Sequence, residues 1–289
     1  MKPINVQLDH AGYIVRDLEQ QAARWSRLGF TLSPMSPQMG LNANGEFEPW
    51  ATANRCAVFE TGYLELIGLH RPQEFNPWAS RLADFEGAHI IAFRTANADA
   101  THTELARRSD DFQAPVQRRR DAPFFVDGKW GTREMGFRNI FSVDARVPEA
   151  RYIIIEHQTP EVLWQPCLEQ HDNGAIALVS VSFSADNLEG VEGRLGLLSE
   201  RATNSSRYDC ANGGYVELLA PTQWQQRFPD AEPLPALRTG GLSSCTIRVR
   251  SLNALRALWH ASNVEFMDDG ERVWVGAQYT GGAPFEFIE

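Results

Sequence analysis

Four times along the 289 residues the same succession returns: a short apolar strand, a polar hinge, and an amphipathic helix that closes near a glycine or polar turn. The copies are HAGYIVRDLEQQAARWSRLGF, HIIAFRTANADATHTELARRSDDF, LVSVSFSADNLEGVEGRLGLLS and CTIRVRSLNALRALWHASNVEF. Leu18, Ala22, Trp25 and Leu28 recur at helical spacing in the first and mark one buried face; Leu255, Leu258 and Trp259 do the same in the fourth. Strand-like segments follow each helix. The first unit gives NRCAVFE and YLELIGL around Thr61-Gly62, and the second closes with REMGFRNIFSVDA and RYIIIEHQ. The third closes with GGYVELLAP, an echo of GYLELIG, and the fourth with RVWVGAQYTGGAPFEFIE. Each unit therefore reads as βαβββ. One unit cannot bury both faces of its sheet, so units should pair, giving an α+β fold of four modules in two paired domains. Proline, glutamine and asparagine interrupt the pattern at PEVLWQPCLEQHDNGA, which places the boundary near Glu169, between a domain 1–169 and a domain 170–289.

Composition narrows the function classes. A hydrophobic content of 43% with 22% charged residues is that of an ordinary globular chain. No stretch approaches a membrane-spanning length, and MKPINVQLDH runs into the first strand without a hydrophobic signal core, so a cytoplasmic location is expected. A net charge of −10 argues against nucleic acid or an anionic membrane as partner. The one basic cluster, Arg118, Arg119 and Arg120, reads as a solvated strand or turn. Cys56, Cys167, Cys210 and Cys245 lack close spacing, so neither a disulfide framework nor a thiolate zinc site is indicated.

Four residues on these short strands carry candidate chemistry: His10 in LDHAGYIV, Glu65 in GYLELIG, His89 in GAHIIAFRT and Glu156 in YIIIEHQ. Two imidazoles and two carboxylates without thiolate suit one divalent ion: Zn, Ni, Mn, Co or Fe(II). Each residue also has a plain reading. His10 can bond its neighbour Asp9, and Glu65 can pair with Arg55. His89 between apolar neighbours would be costly to bury without a partner. Glu156 can mark the strand reaching water. His157 faces away from Glu156 on a regular strand, and a one-residue register change would exchange the two.

The stretches LDHAGYIVRDLEQQAARWSRLGFTLSP and WATANRCAVFETGYLELIG resemble the vicinal oxygen chelate superfamily, and within it the glyoxalase-like domain group. The resemblance rests on roughly residues 5–165, with the second pair a divergent copy. It implies paired βαβββ modules around an open metal cleft, with one ligand from the first and one from the last strand of each module. Carried over, these are His10 and His89, then Glu65 and Glu156, the last displaced by the long stretch QAPVQRRRDAPFFVDGKWGTREMG. The leading expectation is a metal-dependent lyase or isomerase acting on a small substrate that chelates the metal through vicinal oxygens, with Glu65 and Glu156 moving the proton. One alternative is an Fe(II) extradiol-type ring-cleaving dioxygenase built on His10, His89 and Glu156. Another is a metal-free small-molecule binding protein. Asn54, Arg55, Trp130 and Arg133 are substrate-side candidates, the last two on a stretch, 113–136, that could form a lid with Phe124 and Phe125. In the second pair, His10 maps near Ser180 and His89 near Ser244 or Cys245, whereas Glu217 and Glu286 persist; that half is expected to lack the metal. A monomer or homodimer is expected.

Overall fold

The computed structural model describes residues 2–238 and 240–289. Its first unit is β1 (Gln7–Val15), α1 (Leu18–Arg27), β2 (Ser36–Leu41), β3 (Phe47–Val58) and β4 (Tyr63–Leu69). A short helix, α2 (Ala79–Asp84), leads to β5 (Gly87–Arg94), α3 (Ala98–Ala106), β6 (Val116–Val126), β7 (Lys129–Phe141) and β8 (Arg151–His157). The third unit is β9 (Ala175–Ser184), α4 (Glu189–Leu198), β10 (Glu200–Arg201), β11 (Arg207–Asp209) and β12 (Tyr215–Leu219). After α5 (Pro221–Arg227) come β13 (Leu242–Val249), α6 (Leu252–Ala261), β14 (Met267–Asp268), β15 (Arg272–Val275), α7 (Ala277–Thr280) and β16 (Phe285–Ile288). The fold is α+β; the first three units run in βαβββ order, and the fourth does so with α7 between its last two strands.

The units pair as two eight-stranded sheets, ordered β2-β3-β4-β1-β5-β8-β7-β6 and β10-β11-β12-β9-β13-β16-β15-β14. In each sheet two units join along an antiparallel seam, β1 with β5 and β9 with β13. Local sequence explains the helices between strands. Asp17 caps α1 by accepting the amide of Gln20, and Asn97 and Ser251 do the same for α3 and α6. Leu18, Ala22, Trp25 and Leu28 are all buried, so the helical spacing marked the packed face.

The first sheet curls until its edges meet: the Arg120 guanidinium on β6 donates to the Ser36 hydroxyl on β2. Segment 113–136 carries β6 and the start of β7, a hairpin turned by Asp127 and Gly128 with φ of 51° and 76°. Both central residues at positive φ make the tight turn that suits the twist of the paired strands.

One apolar core runs through both sheets, from Leu8, Tyr13 and Trp25 to Trp259, Phe285 and Phe287. Three of its aromatic residues bond between the halves. The Tyr13 hydroxyl donates to the Ala283 carbonyl at 3.0 Å, the Trp25 indole to Thr280 at 3.1 Å and the Trp259 indole to Leu28 at 3.0 Å. The helix-bearing faces are thus spent on packing, and the concave face of the first sheet is left for chemistry.

Candidate active site

Residues directly opposite one another in paired strands share a face. His10 opposes Ala92, Ala92 opposes Ile153, and Ile153 opposes Phe141. One row on stand Arg94, Ile155 and Asn139, then His157, Phe137 and Arg118. On the other flank Gly12 opposes Glu65, which opposes Cys56, and Ile67 opposes Asn54. These side chains line the concave face.

At its centre the register slips between Leu8 and His10, making Asp9 the extra residue of a bulge. The slip brings two consecutive side chains together, with the Asp9 carboxylate 2.7 Å from His10 Nδ1. Asp9 is completely buried and also meets Arg94 Nε at 2.8 Å and His157 Nε2 at 3.2 Å. Burial alone would raise its pKa, but the charge of His157 and the hydrogen bonds from both histidines hold it well below the usual carboxylate range. An ionised Asp9 fixes the Nδ1–H tautomer and leaves Nε2 as the free basic nitrogen. That nitrogen lies 3.8 Å from Glu65 Oε2, while the Asn54 amide donates to Glu65 Oε1 at 2.5 Å. Tyr63 stacks on the His10 ring with centroids 4.2 Å apart. Trp164 backs the charged cluster, with Arg94 over its ring at 4.1 Å and His157 at its edge at 5.0 Å.

The sequence-derived candidates divide. His10, Glu65 and Asn54 come together; His89 and Glu156 do not join them. A second register slip, between the Gly12 and Tyr13 pairs, leaves His89 as a bulge residue, stacked on Phe85 and donating through Nε2 to the Phe85 carbonyl at 3.0 Å. Glu156 stands on the opposite face from His157 and accepts the Ala98 amide at 2.7 Å, at the start of α3. The carboxylate there complements the helix's positive end. Arg55 points away from the concave face toward α1, pairing with Glu19 at 3.0 Å, so it is not the partner of Glu65. Trp130 and Arg133 lie near the hairpin tip, Trp130 against Phe125 and Arg133 over Phe124 at 3.7 Å. Asp9 and Arg94 were missed by sequence reasoning, and His157 was foreseen only as the residue that a register change would exchange with Glu156. Only the LDH tripeptide hinted at Asp9, through the plain reading that His10 bonds its neighbour.

His89 carries a pH prediction of its own. Burial pushes its imidazole down to about 4, outweighing the opposing hydrogen bond to Phe85. The unfolded chain, with the ordinary value near 6.5, takes up the proton first as pH falls, so the stability present above pH 6.5 is lost toward pH 4. Urea titrations at pH 7.5 and 4 should show wild type losing about 3 kcal/mol more than His89→Gln, since each tenfold loss of proton affinity on folding corresponds to about 1.4 kcal/mol. Equal losses would refute a neutral buried His89.

Residues 8–200, more than half of the chain, match the family model described as a glyoxalase-like domain. The chain belongs to the glyoxalase-like domain family. Solved structures with the same fold include a hypothetical protein from Staphylococcus aureus, at TM-score 0.60 and 11% identity, covering 98% of each chain. A mutant 4-hydroxymandelate synthase from Streptomyces coelicolor aligns at TM-score 0.53 and 11% identity, over 100% of this chain and 93% of that one. A xylose isomerase-like TIM barrel/4-hydroxyphenylpyruvate dioxygenase fusion protein aligns at TM-score 0.51 and 10% identity, over 100% of this chain and 49% of that one. No curated protein matches the sequence. The fold is that of the vicinal oxygen chelate superfamily.

Strand register gives the places that the resemblance implies for four metal ligands. In module one His10 opposes Tyr63, and Gly12 opposes Glu65. The seam aligns Gly12 with Ile90 and His10 with Ala92, and Ala92 opposes Ile153. Module two therefore presents Ile90 and Ile153 where module one presents His10 and Glu65. Both isoleucines belong to an apolar cluster with Ile14, Ile67, Trp78 and Leu82. Half of the donor set is hydrocarbon, and no group of three or more His, Cys, Asp or Glu among the described residues is arranged to hold a metal. The residues present do not fit a four-ligand centre.

The second sheet shows the converse. Ser180 and Glu217 occupy the module-three positions, with Ser244 and Glu286 in module four. The carboxylates remain and hydroxyls replace the imidazoles. Between the two glutamates lies Arg227, bonded to Glu217 at 2.5 Å and to both Glu286 oxygens, while Arg272 and Thr246 complete the bonds to Glu286. Burial alone would raise the Glu286 pKa; Arg227, Arg272 and Thr246 bring it below its ordinary value. A guanidinium serves there as the resident cation.

Proposed function

We propose that this protein is a proton-transfer enzyme of the lyase or isomerase type, acting on a small substrate in the concave face of the first sheet, with His10 as general base. The observation that carries the reading is the ring of His10 held between buried Asp9 at Nδ1 and Glu65 near Nε2. Asp9 fixes the ring and stabilises the imidazolium that forms when Nε2 takes a proton. Glu65, held by Asn54, stands where it can stabilise the same charge or pass the proton back to substrate. Tyr63 and the bulge restrict the ring's rotation, so the base is positioned before substrate arrives. A dioxygenase built on two histidines and a carboxylate is less well supported, because His89 is engaged with Phe85 and His157 with Asp9. A second reading, binding without turnover, is favoured by the apolar neighbours Ile90 and Ile153.

The test is deuterium exchange in D2O, followed by proton NMR, across small 2-oxo acids, 2-hydroxy acids and 1,2-diketones. Wild type should catalyse exchange with at least one class, and His10→Ala should lose about 100- to 10,000-fold in kcat/KM. Retained exchange in His10→Ala would remove the general base assigned here. Binding without exchange by any compound would favour the second reading. Elemental analysis of chelator-free protein belongs beside it. Near-stoichiometric metal that is lost in His89→Ala would restore the four-ligand centre.

A further inference from the structure

By register five arginines share the concave face, and four are engaged: Arg94 with Asp9, Arg120 with Ser36, Arg151 with Asp144, and Arg133 over the Phe124 ring. Arg118 is different. Opposite Phe137, and through it in one row with His157, its side chain shares the face that carries His10. It is half-buried, and no carboxylate, carbonyl or aromatic ring partners its guanidinium among the described residues. The alternating neighbour Arg119 points to the other face and pairs with Glu134 at 2.9 Å, as a solvated strand arginine does. Arg120, two residues on, lies within electrostatic reach of Cys56, and Cys56 within reach of Glu65. Two residues along a strand span roughly 6.6 Å, the scale of a small organic acid. A charge removed from water without a partner is costly, and that cost is repaid when an anion binds.

We infer that Arg118 is the specificity-determining residue of this site and that the substrate carries an oxyanionic group, a carboxylate or phosphate, which pairs with its guanidinium while the reacting carbon lies toward His10. Two oxygens of a carboxylate or a phosphate match the two-pronged donors of arginine, whereas a neutral hydroxyl or amide cannot satisfy the charge. This rests on the reading of the concave face as the active site and adds the substrate class.

The experiment is isothermal titration of wild type, Arg118→Met, Arg118→Lys and His10→Gln with phenylacetate, phenyl phosphate and the neutral phenylacetamide. Wild type should bind at least one anion at least 10-fold more tightly than the amide. Arg118→Met should lose that preference, Arg118→Lys should keep part of it, and His10→Gln should keep all of it. The better-bound anion tells carboxylate from phosphate. Arg118→Met removes an unpartnered charge and should unfold no earlier than wild type; a fall of more than 5 °C would reveal a structural partner and overturn the assignment. So would equal anion binding by wild type and Arg118→Met, or no anion preference in wild type. Exchange activity surviving in His10→Ala with anion preference lost in Arg118→Met would instead sink the general-base reading and leave this one standing.

Discussion

Arg227→Met should destabilise the protein by about 3 kcal/mol at pH 7, because the buried carboxylate of Glu286 then loses one of the two guanidiniums that pair with it. Glu286 is 1% exposed and would keep only Arg272 and Thr246, while Glu217 can turn toward water. The sign of the pH dependence follows from the lowered pKa of Glu286. Its ion pairing contributes above the unfolded carboxylate value, about 4.3, and is lost as pH falls through the folded value. The gap between wild type and variant in urea unfolding should therefore narrow from pH 7 toward pH 3.5. A difference below about 1 kcal/mol at pH 7 would mean that the guanidinium is an ordinary surface charge. The companion Arg227→Met/Glu286→Gln variant should recover part of the loss, because neither charge is then left alone.

Asp9→Asn is expected to act on stability and on chemistry together. Asparagine is isosteric but removes the negative charge that Arg94, His10 and His157 converge on. Loss of a buried carboxylate from such a cluster should cost about 3 kcal/mol at pH 7. The folded pKa of Asp9 is depressed, so its contribution is present above the unfolded value near 3.9 and disappears as pH falls. Equal stabilities of wild type and Asp9→Asn at pH 7 would contradict the ion cluster. In catalysis the substitution frees His10 to adopt the other tautomer, and exchange should fall about 1,000-fold or more, as when a triad aspartate is amidated. The Asp9→Asn protein should nonetheless bind anions through Arg118, which separates a misoriented base from a collapsed site.

The contrast between the two sheets gives these predictions their shape. Each sheet carries half of the donor set that the resemblance implies. The first retains one imidazole and one carboxylate beside hydrocarbon, and turns its remaining charge into an Asp9–His10 dyad. The second retains two carboxylates and neutralises them from within by Arg227. No helix among the described residues is long and apolar enough to cross a membrane.

The βαβββ repeats, the pairing of modules and the buried face of α1 were legible in the sequence because they depend on local periodicity, and a helical stripe or an apolar strand declares itself within ten residues. The strand positions of His10 and Glu65 were legible for the same reason. What the sequence left open was which of two adjacent residues faces the cleft. His89 or Ile90, Glu156 or His157, Arg118 or Arg119 differ by one position, and with a side-chain period of two a single bulge exchanges them. The bulges at Asp9 and His89 arise where β1 meets β5, strands separated by most of a module, so strand pairing across the seam decides them. The near closure of the first sheet, which brings Arg120 to Ser36 across 84 residues of chain, is of the same kind. The residue types in LDH, GAHII and QRRR came from the sequence; which of them share one concave face was settled by the tertiary structure, through hydrogen-bond register between distant strands.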